Sequence, residues 1–141
     1  FTVITRIQRL VLKENEISNV EKLGALTTLT NLDLYGNQLK TCGGLAALVS
    51  LTILDLSFNS IRAIEGVDTL TNLKEIYLAN NKISTMQGLT SLTNLETLEL
   101  GSNRIRDIEG IDTLRLLQNL WLGRNKIASL SSLSSLSSLS S

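Results

Sequence analysis

The sequence predicts an α/β solenoid, a horseshoe of six 22-residue repeats with a parallel sheet on its concave side and 3₁₀ or turn backbone on its convex side. Three observations predict it. Asn15, Asn37, Asn59, Asn81, Asn103 and Asn125 recur at a constant 22 residues with no insertion between them. Within each unit apolar residues first alternate, as at Leu98 and Leu100, which is the period of a strand. They then recur at every third residue, as at Ile105, Ile108, Ile111, Leu114 and Leu117, which fits 3₁₀-like turns better than an α-helix.

The units begin at Ile7, Leu29, Leu51, Leu73, Leu95 and Leu117 and share the pattern L-x-x-L-x-L-x-x-N-x-I/L, as in LTILDLSFNSI, LKEIYLANNKI and LETLELGSNRI. This is the leucine-rich-repeat signature, matched six times in phase. Ordering one such unit costs more backbone entropy than its own apolar side chains recover, so the repeats must stack. Stacking supplies parallel-strand hydrogen bonds and a continuous core. The recurring Asn is expected to be structural, its amide satisfying backbone groups of the turn and forming a ladder between repeats.

Residues 1–6 read as the end of a preceding repeat, with Phe1 and Ile4 in phase; residues 7–138 hold the six repeats, and 131–141 form a Ser/Leu end of low complexity. That end keeps Leu130, Leu133, Leu136 and Leu139 in register, so it is expected to close the last repeat. Cys42 takes the slot filled elsewhere by Val20, Ile64, Met86, Ile108 and Leu130, which makes it a small core hydrophobe in expectation. Gly44, Gly66, Gly88 and Gly110 also recur at 22 residues, as convex-side turn residues and not as a phosphate-cradling loop.

Composition narrows the function. At 141 residues the chain fits a single domain, and with 43% apolar but only 4% aromatic residues its core must be aliphatic. Thirteen Lys and Arg balance thirteen Asp and Glu, giving no electrostatic reason for a nucleic-acid or anionic-membrane partner. No apolar run approaches the roughly 18 residues of a membrane span. There is no histidine and one isolated cysteine, which removes the usual zinc sites and His-based acid–base devices. No metal, no cofactor and no enzymatic activity are expected. The lone cysteine and the absence of an Asn-x-Ser/Thr sequon favour the cytoplasm or nucleus.

Strand alternation places the residue between the two buried leucines on the concave surface, and that column reads Val11, Asp33, Asp55, Tyr77, Glu99, Trp121. In-register strands bring these side chains to about 4.8 Å spacing. The column holds the only Trp and one of two Tyr, flanked by acids, as interaction hot spots are. The candidate partner-binding residues are therefore Asp33, Asp55, Tyr77, Glu99 and Trp121. Flanking concave positions include small residues such as Ser57, Ala79, Gly101, Gly123 and Thr97, which leave room for a partner. Arg62, Lys82, Arg104, Arg106, Arg124 and Lys126 follow the strand ends as a solvated basic rim. A glycosidase-type pairing of Asp33 and Asp55 is disfavoured, because an open sheet offers no desolvated pocket to separate two carboxyl pKa values.

LTILDLSFNSIRAIEGVDTLTNL (51–73) and LETLELGSNRIRDIEGIDTLRLLQNLWLGRNKI (95–127) resemble the central repeats of the SDS22-like leucine-rich-repeat regulatory subunits of protein phosphatase 1, densely over about residues 29–130. The resemblance implies a non-enzymatic module, monomeric by itself, whose concave face binds the phosphatase catalytic subunit. Carried over residue by residue, it implies contacts from Asp55, Tyr77, Glu99 and Trp121, the column that alternation selects independently. Family members run to about twice as many repeats and end in a dedicated cap. Two rival readings are a leucine-rich-repeat scaffold in an axonemal or cytoskeletal assembly and an adhesion module resembling bacterial internalins.

Overall fold

The computed structural model describes residues 6–135; the expectations for Phe1, Ile4, Leu136 and Leu139 lie outside them. Six three-residue strands form one parallel sheet in sequence order: β1 (Arg9–Val11), β2 (Asn31–Asp33), β3 (Ile53–Asp55), β4 (Glu75–Tyr77), β5 (Thr97–Glu99) and β6 (Asn119–Trp121). The register advances by one whole repeat at each strand, so Leu32 pairs with Leu54, Leu54 with Ile76 and Ile76 with Leu98. Identical spacing in sequence thereby becomes alignment in space.

The returns are as the three-residue period predicts, with no α-helix among the described residues. Each central return is closed by two backbone bonds spanning three residues, for example Leu70 N–H to the Val67 carbonyl at 3.0 Å and Leu73 N–H to the Leu70 carbonyl at 3.0 Å. Continuous 3₁₀ segments occur at Glu21–Ala25 and Ser131–Ser135. Side chains at i and i+3 eclipse in this conformation, so one face of the return always points inward.

The core is a column of Leu, Ile and Val running from Val20 to Leu117, with Cys42 and Met86 in the same slot two repeats apart, on either side of Ile64. Burial pushes the Cys42 thiol up to about 12, well outside the range in which a thiolate forms at neutral pH. At the far end Leu130, in the equivalent slot, is 66% exposed, because no further repeat is stacked on it among the described residues. Leu133 is partly buried against Leu130's neighbours and the core.

The asparagines join one repeat to the next. Asn81 donates from Nδ2 to the carbonyls of Leu78 at 3.1 Å and Ala79 at 3.3 Å in its own turn, and to that of Leu56 at 3.0 Å in the preceding repeat. Its Oδ1 accepts the Ile61 N–H at 2.9 Å. Asn37, Asn59, Asn103 and Asn125 repeat this arrangement. Asn15 is exposed and makes bonds to its own turn, to Leu12 and Lys13. A second set links the convex side, where Thr69, Asn72, Ser91, Asn94 and Thr113 donate to carbonyls 23 residues earlier.

Two backbone features set the turns. The residue before each ladder Asn is left-handed in all six repeats: Glu14, Gly36, Phe58, Asn80, Ser102 and Arg124. On the convex side Gly88 has φ +96°, and a Cβ there would collide with the carbonyl oxygen of Ile64.

Asn81→Ala removes four hydrogen bonds and leaves buried carbonyls and an N–H without partners, so it is expected to lower stability by about 3 kcal/mol or more. Asn15→Ala, which loses two exposed local bonds, should cost under about 1 kcal/mol. Urea unfolding monitored by circular dichroism checks both.

Candidate functional site

The concave surface is built from the strand residues that alternation points away from the core. Val11, Asp33, Asp55, Tyr77, Glu99 and Trp121 lie in register across all six strands. Trp121 is 48% exposed and Val11 also stands open, whereas Asp33, Asp55, Tyr77 and Glu99 are half-buried. The structure thus brings the five candidate residues into one row.

The acids of that row also serve the backbone, a role that the sequence reading missed. Asp33 Oδ1 accepts the Tyr35 N–H at 3.0 Å, Asp55 Oδ1 the Ser57 N–H at 2.8 Å, and Glu99 Oε1 the Gly101 N–H at 2.6 Å. Each bond closes the same short turn at the strand end. Aspartate reaches that N–H directly, as in an Asx turn. Glutamate is one methylene longer and must fold back, and Gly101 leaves it the space: a Cβ there would lie 2.7 Å from Glu99 Oε1. Each of these bonds uses one carboxylate oxygen.

Tyr77 carries no carboxylate to close this turn, and its ring extends beside Glu75 in the same strand. Its hydroxyl donates to Glu75 Oε2 at 2.6 Å. That bond, together with burial and the charges of Glu75, Asp55 and Glu99, pushes the phenol up to about 12, so it stays neutral and presents its ring to the groove. Burial, aided by the charge of Asp33 in the adjacent strand, raises Asp55 above the ordinary carboxylate value of 3.8, against the Ser57 N–H that lowers it.

The flanking positions are less uniform than alternation predicts. Thr97 and Ser57 are buried, and Asn119 Nδ2 donates to Thr97 Oγ1 at 3.2 Å. Two shallow hollows remain. One, of about 140 Å³, is lined by Arg9, Val11, Asn31, Asp33, Ile53, Asp55 and Tyr77; the other lies over Glu99, Gly101, Trp121, Gly123 and Arg124. Neither encloses the acids, so Asp33 and Asp55 sit on an open floor. Among the described residues no group of three or more His, Cys, Asp or Glu could hold a metal ion. Nor, among the described residues, is any helix long and apolar enough to cross a membrane.

The basic rim residues Arg62, Arg104, Arg106, Arg124 and Lys126 are exposed and Lys82 is half-buried. Beside them stands an aromatic pair that sequence reasoning did not select. Tyr35 and Phe58 stack with ring centroids 4.8 Å apart and planes tilted by 44°, and Phe58 is 47% exposed. Both follow strand ends two or three residues after Asp33 and Asp55, a position with no burial period to betray it.

A parallel sheet stacked one strand per repeat, with asparagines bridging the turns, defines a leucine-rich-repeat solenoid, a class of protein-interaction module. The chain belongs to that family: the model of Leucine Rich repeats (2 copies) matches residues 27–69, 49–91, 71–113 and 93–138. No curated protein sequence matches it. An internalin, InlF, of Listeria monocytogenes has a similar structure, with TM-score 0.90 and 31% identity over 94% of this chain and 39% of its own. A leucine-rich-repeat protein of Leptospira interrogans follows at TM-score 0.89 and 28% identity, covering 94% and 36%. Internalin C2 of Listeria monocytogenes gives TM-score 0.71 and 32% identity, covering 94% and 69%. The chain therefore spans under two fifths of the first two of these proteins.

Asp55 is raised in the folded state, so its ionisation opposes folding: its favourable contribution is present below the ordinary carboxylate value and is lost as pH rises through the raised one. Asp55→Asn retains an oxygen for the Ser57 N–H and removes the charge. Relative to the parent it should gain stability on going from about pH 3 to about pH 7; Asp55→Ala should follow the same pH trend but lie about 1 kcal/mol below Asp55→Asn at both values, having lost the acceptor for the Ser57 N–H. Urea titrations at the two pH values distinguish these outcomes.

Proposed function

We propose that the chain is a non-enzymatic docking module whose concave row of Asp33, Asp55, Tyr77, Glu99 and Trp121 binds the catalytic subunit of protein phosphatase 1. The observation that carries this reading is Trp121, a half-exposed indole in register with Glu99 on a floor thinned by Gly101 and Gly123. A large ring held rigidly by a strand and bordered by carboxylates is suited to anchor a partner surface while the acids select its basic groups. The phosphatase as partner is supported by the resemblance of LDLSFNSIRAIEGVD and LELGSNRIRDIEGID to the SDS22-like subunits. This reading places the protein in the cytoplasm or nucleus, with no membrane, nucleic acid or cofactor involved.

A second reading is an adhesion module, supported by the similarity to two internalins at 31% and 32% identity. In it the same concave row would meet a cell-surface protein instead.

Calorimetry with purified phosphatase catalytic subunit tests the first reading. Trp121→Ala should weaken binding by roughly 2 kcal/mol or more. Glu99→Gln keeps an acceptor for the Gly101 N–H and should weaken binding through charge alone, most visibly at low salt. Unchanged affinity in both variants removes the row from the site. A folded parent chain that ignores the phosphatase yet labels intact cells would favour adhesion.

A further inference from the structure

Phe58 stands where the fold least favours it. Its φ is +56°, in the left-handed region that a bulky side chain avoids, and the equivalent positions hold Glu14, Gly36, Asn80, Ser102 and Arg124. Glycine would serve that turn without penalty, as it does at Gly36. Nor does the ring fill the core. Nearly half of Phe58 faces solvent, whereas the core residues of the same two repeats, Leu34, Leu39, Leu56 and Ile61, are fully buried. What the ring does is pack, tilted by 44°, against Tyr35 from the preceding repeat, giving a two-ring cluster just past the ends of β2 and β3.

The surroundings define what such a cluster would hold. Asp33 and Asp55 accept the N–H groups of Tyr35 and Ser57, so the two carboxylates lie two and three residues before Tyr35 and Phe58, at the ends of the same strands. The concave positions of β2 to β6 contain Asp33, Asp55, Glu75 and Glu99 and no Lys or Arg; the one strand cation, Arg9 of β1, lines the far side of the hollow that Asp33 and Asp55 share. Lys13 precedes Tyr35 by one 22-residue repeat and is one repeat further from Phe58. A guanidinium or ammonium group can stack on an aromatic face and pair with a carboxylate at once, whereas an anionic segment would meet like charge.

We propose that Tyr35 and Phe58 form a second anchor of the docking surface, and that it takes a protein segment carrying an arginine or lysine next to an apolar or aromatic residue. The anchor rests on the reading of the concave row as a docking face, and it adds the chemistry of the segment that binds past the strand ends. It does not require the partner to be a phosphatase.

The test selects a random-peptide display library on the parent chain and measures synthetic versions of the enriched peptides by fluorescence anisotropy against the parent, Phe58→Gly and Trp121→Ala. The expected result is enrichment of peptides with Arg or Lys beside an apolar or aromatic residue, whose affinity falls about 30-fold in Phe58→Gly. The urea midpoint of that variant should fall far less than for a core truncation, since relief of the left-handed backbone offsets the lost contact with Tyr35. Enrichment of acidic peptides, no enrichment, or peptides indifferent to Phe58→Gly would overturn the proposal, as would a loss of stability comparable to a core truncation. Because the peptides are selected without the phosphatase, failure of phosphatase binding leaves this result standing, and failure of the anchor leaves the Trp121 row to be judged by calorimetry.

Discussion

Everything in this structure depends on the buried amide of the repeating asparagine. A turn that ends a three-residue strand leaves carbonyls pointing inward, where no water reaches them, and the strand pairing does not satisfy them all. Asn59 meets that demand with Nδ2 bonds to Leu34, Leu56 and Ser57, while its Oδ1 takes the Leu39 N–H of the neighbouring repeat. One side chain therefore closes its own turn and fixes the spacing to the previous one. The aliphatic core supplies the driving force for stacking, but leucines are indifferent to a small slip along the axis. The amide ladder is directional and is not.

That spacing is what turns sequence into surface. With each repeat locked to its neighbour, residues 22 apart in sequence become adjacent side chains, and a row of Asp33, Asp55, Tyr77, Glu99 and Trp121 needs no loop to assemble it. The row is also stiff, because its acids are tied to the backbone N–H groups of Tyr35, Ser57 and Gly101. A carboxylate held by one oxygen loses little further freedom when a partner takes the other, which favours binding.

The periodic part of this arrangement was legible in the sequence. Alternation at Leu98 and Leu100, the three-residue spacing from Ile105 to Leu117 and the six asparagines were enough for the strands, the returns and the inward row, because burial imposes a period and the residues obey it. What lay hidden was aperiodic or local. The left-handed residue before each Asn is a glycine only at Gly36, so it left no glycine signature, and Phe58 could not be seen to share a face with Tyr35. The backbone bonds of the acids were within reach as a D-x-S, D-x-Y and E-x-G pattern, but an exposed acid was read as a partner contact alone. Thr97 fell to the floor of the sheet because Asn119 bonds to it across the strands, a tertiary effect that alternation does not encode.

The most direct measurement of the ladder's role is native-state hydrogen exchange at the backbone amides of Leu39, Ile61 and Ile83, each of which donates to an asparagine oxygen of the next repeat. These amides should exchange slowly and through a shared opening, and replacing Asn81 should release Ile61 first, with Leu39 and Ile83 retaining more protection. Equal exchange at Ile61 with and without Asn81, or protection no greater than that of exposed turn amides, would contradict a fold held in register by its asparagines.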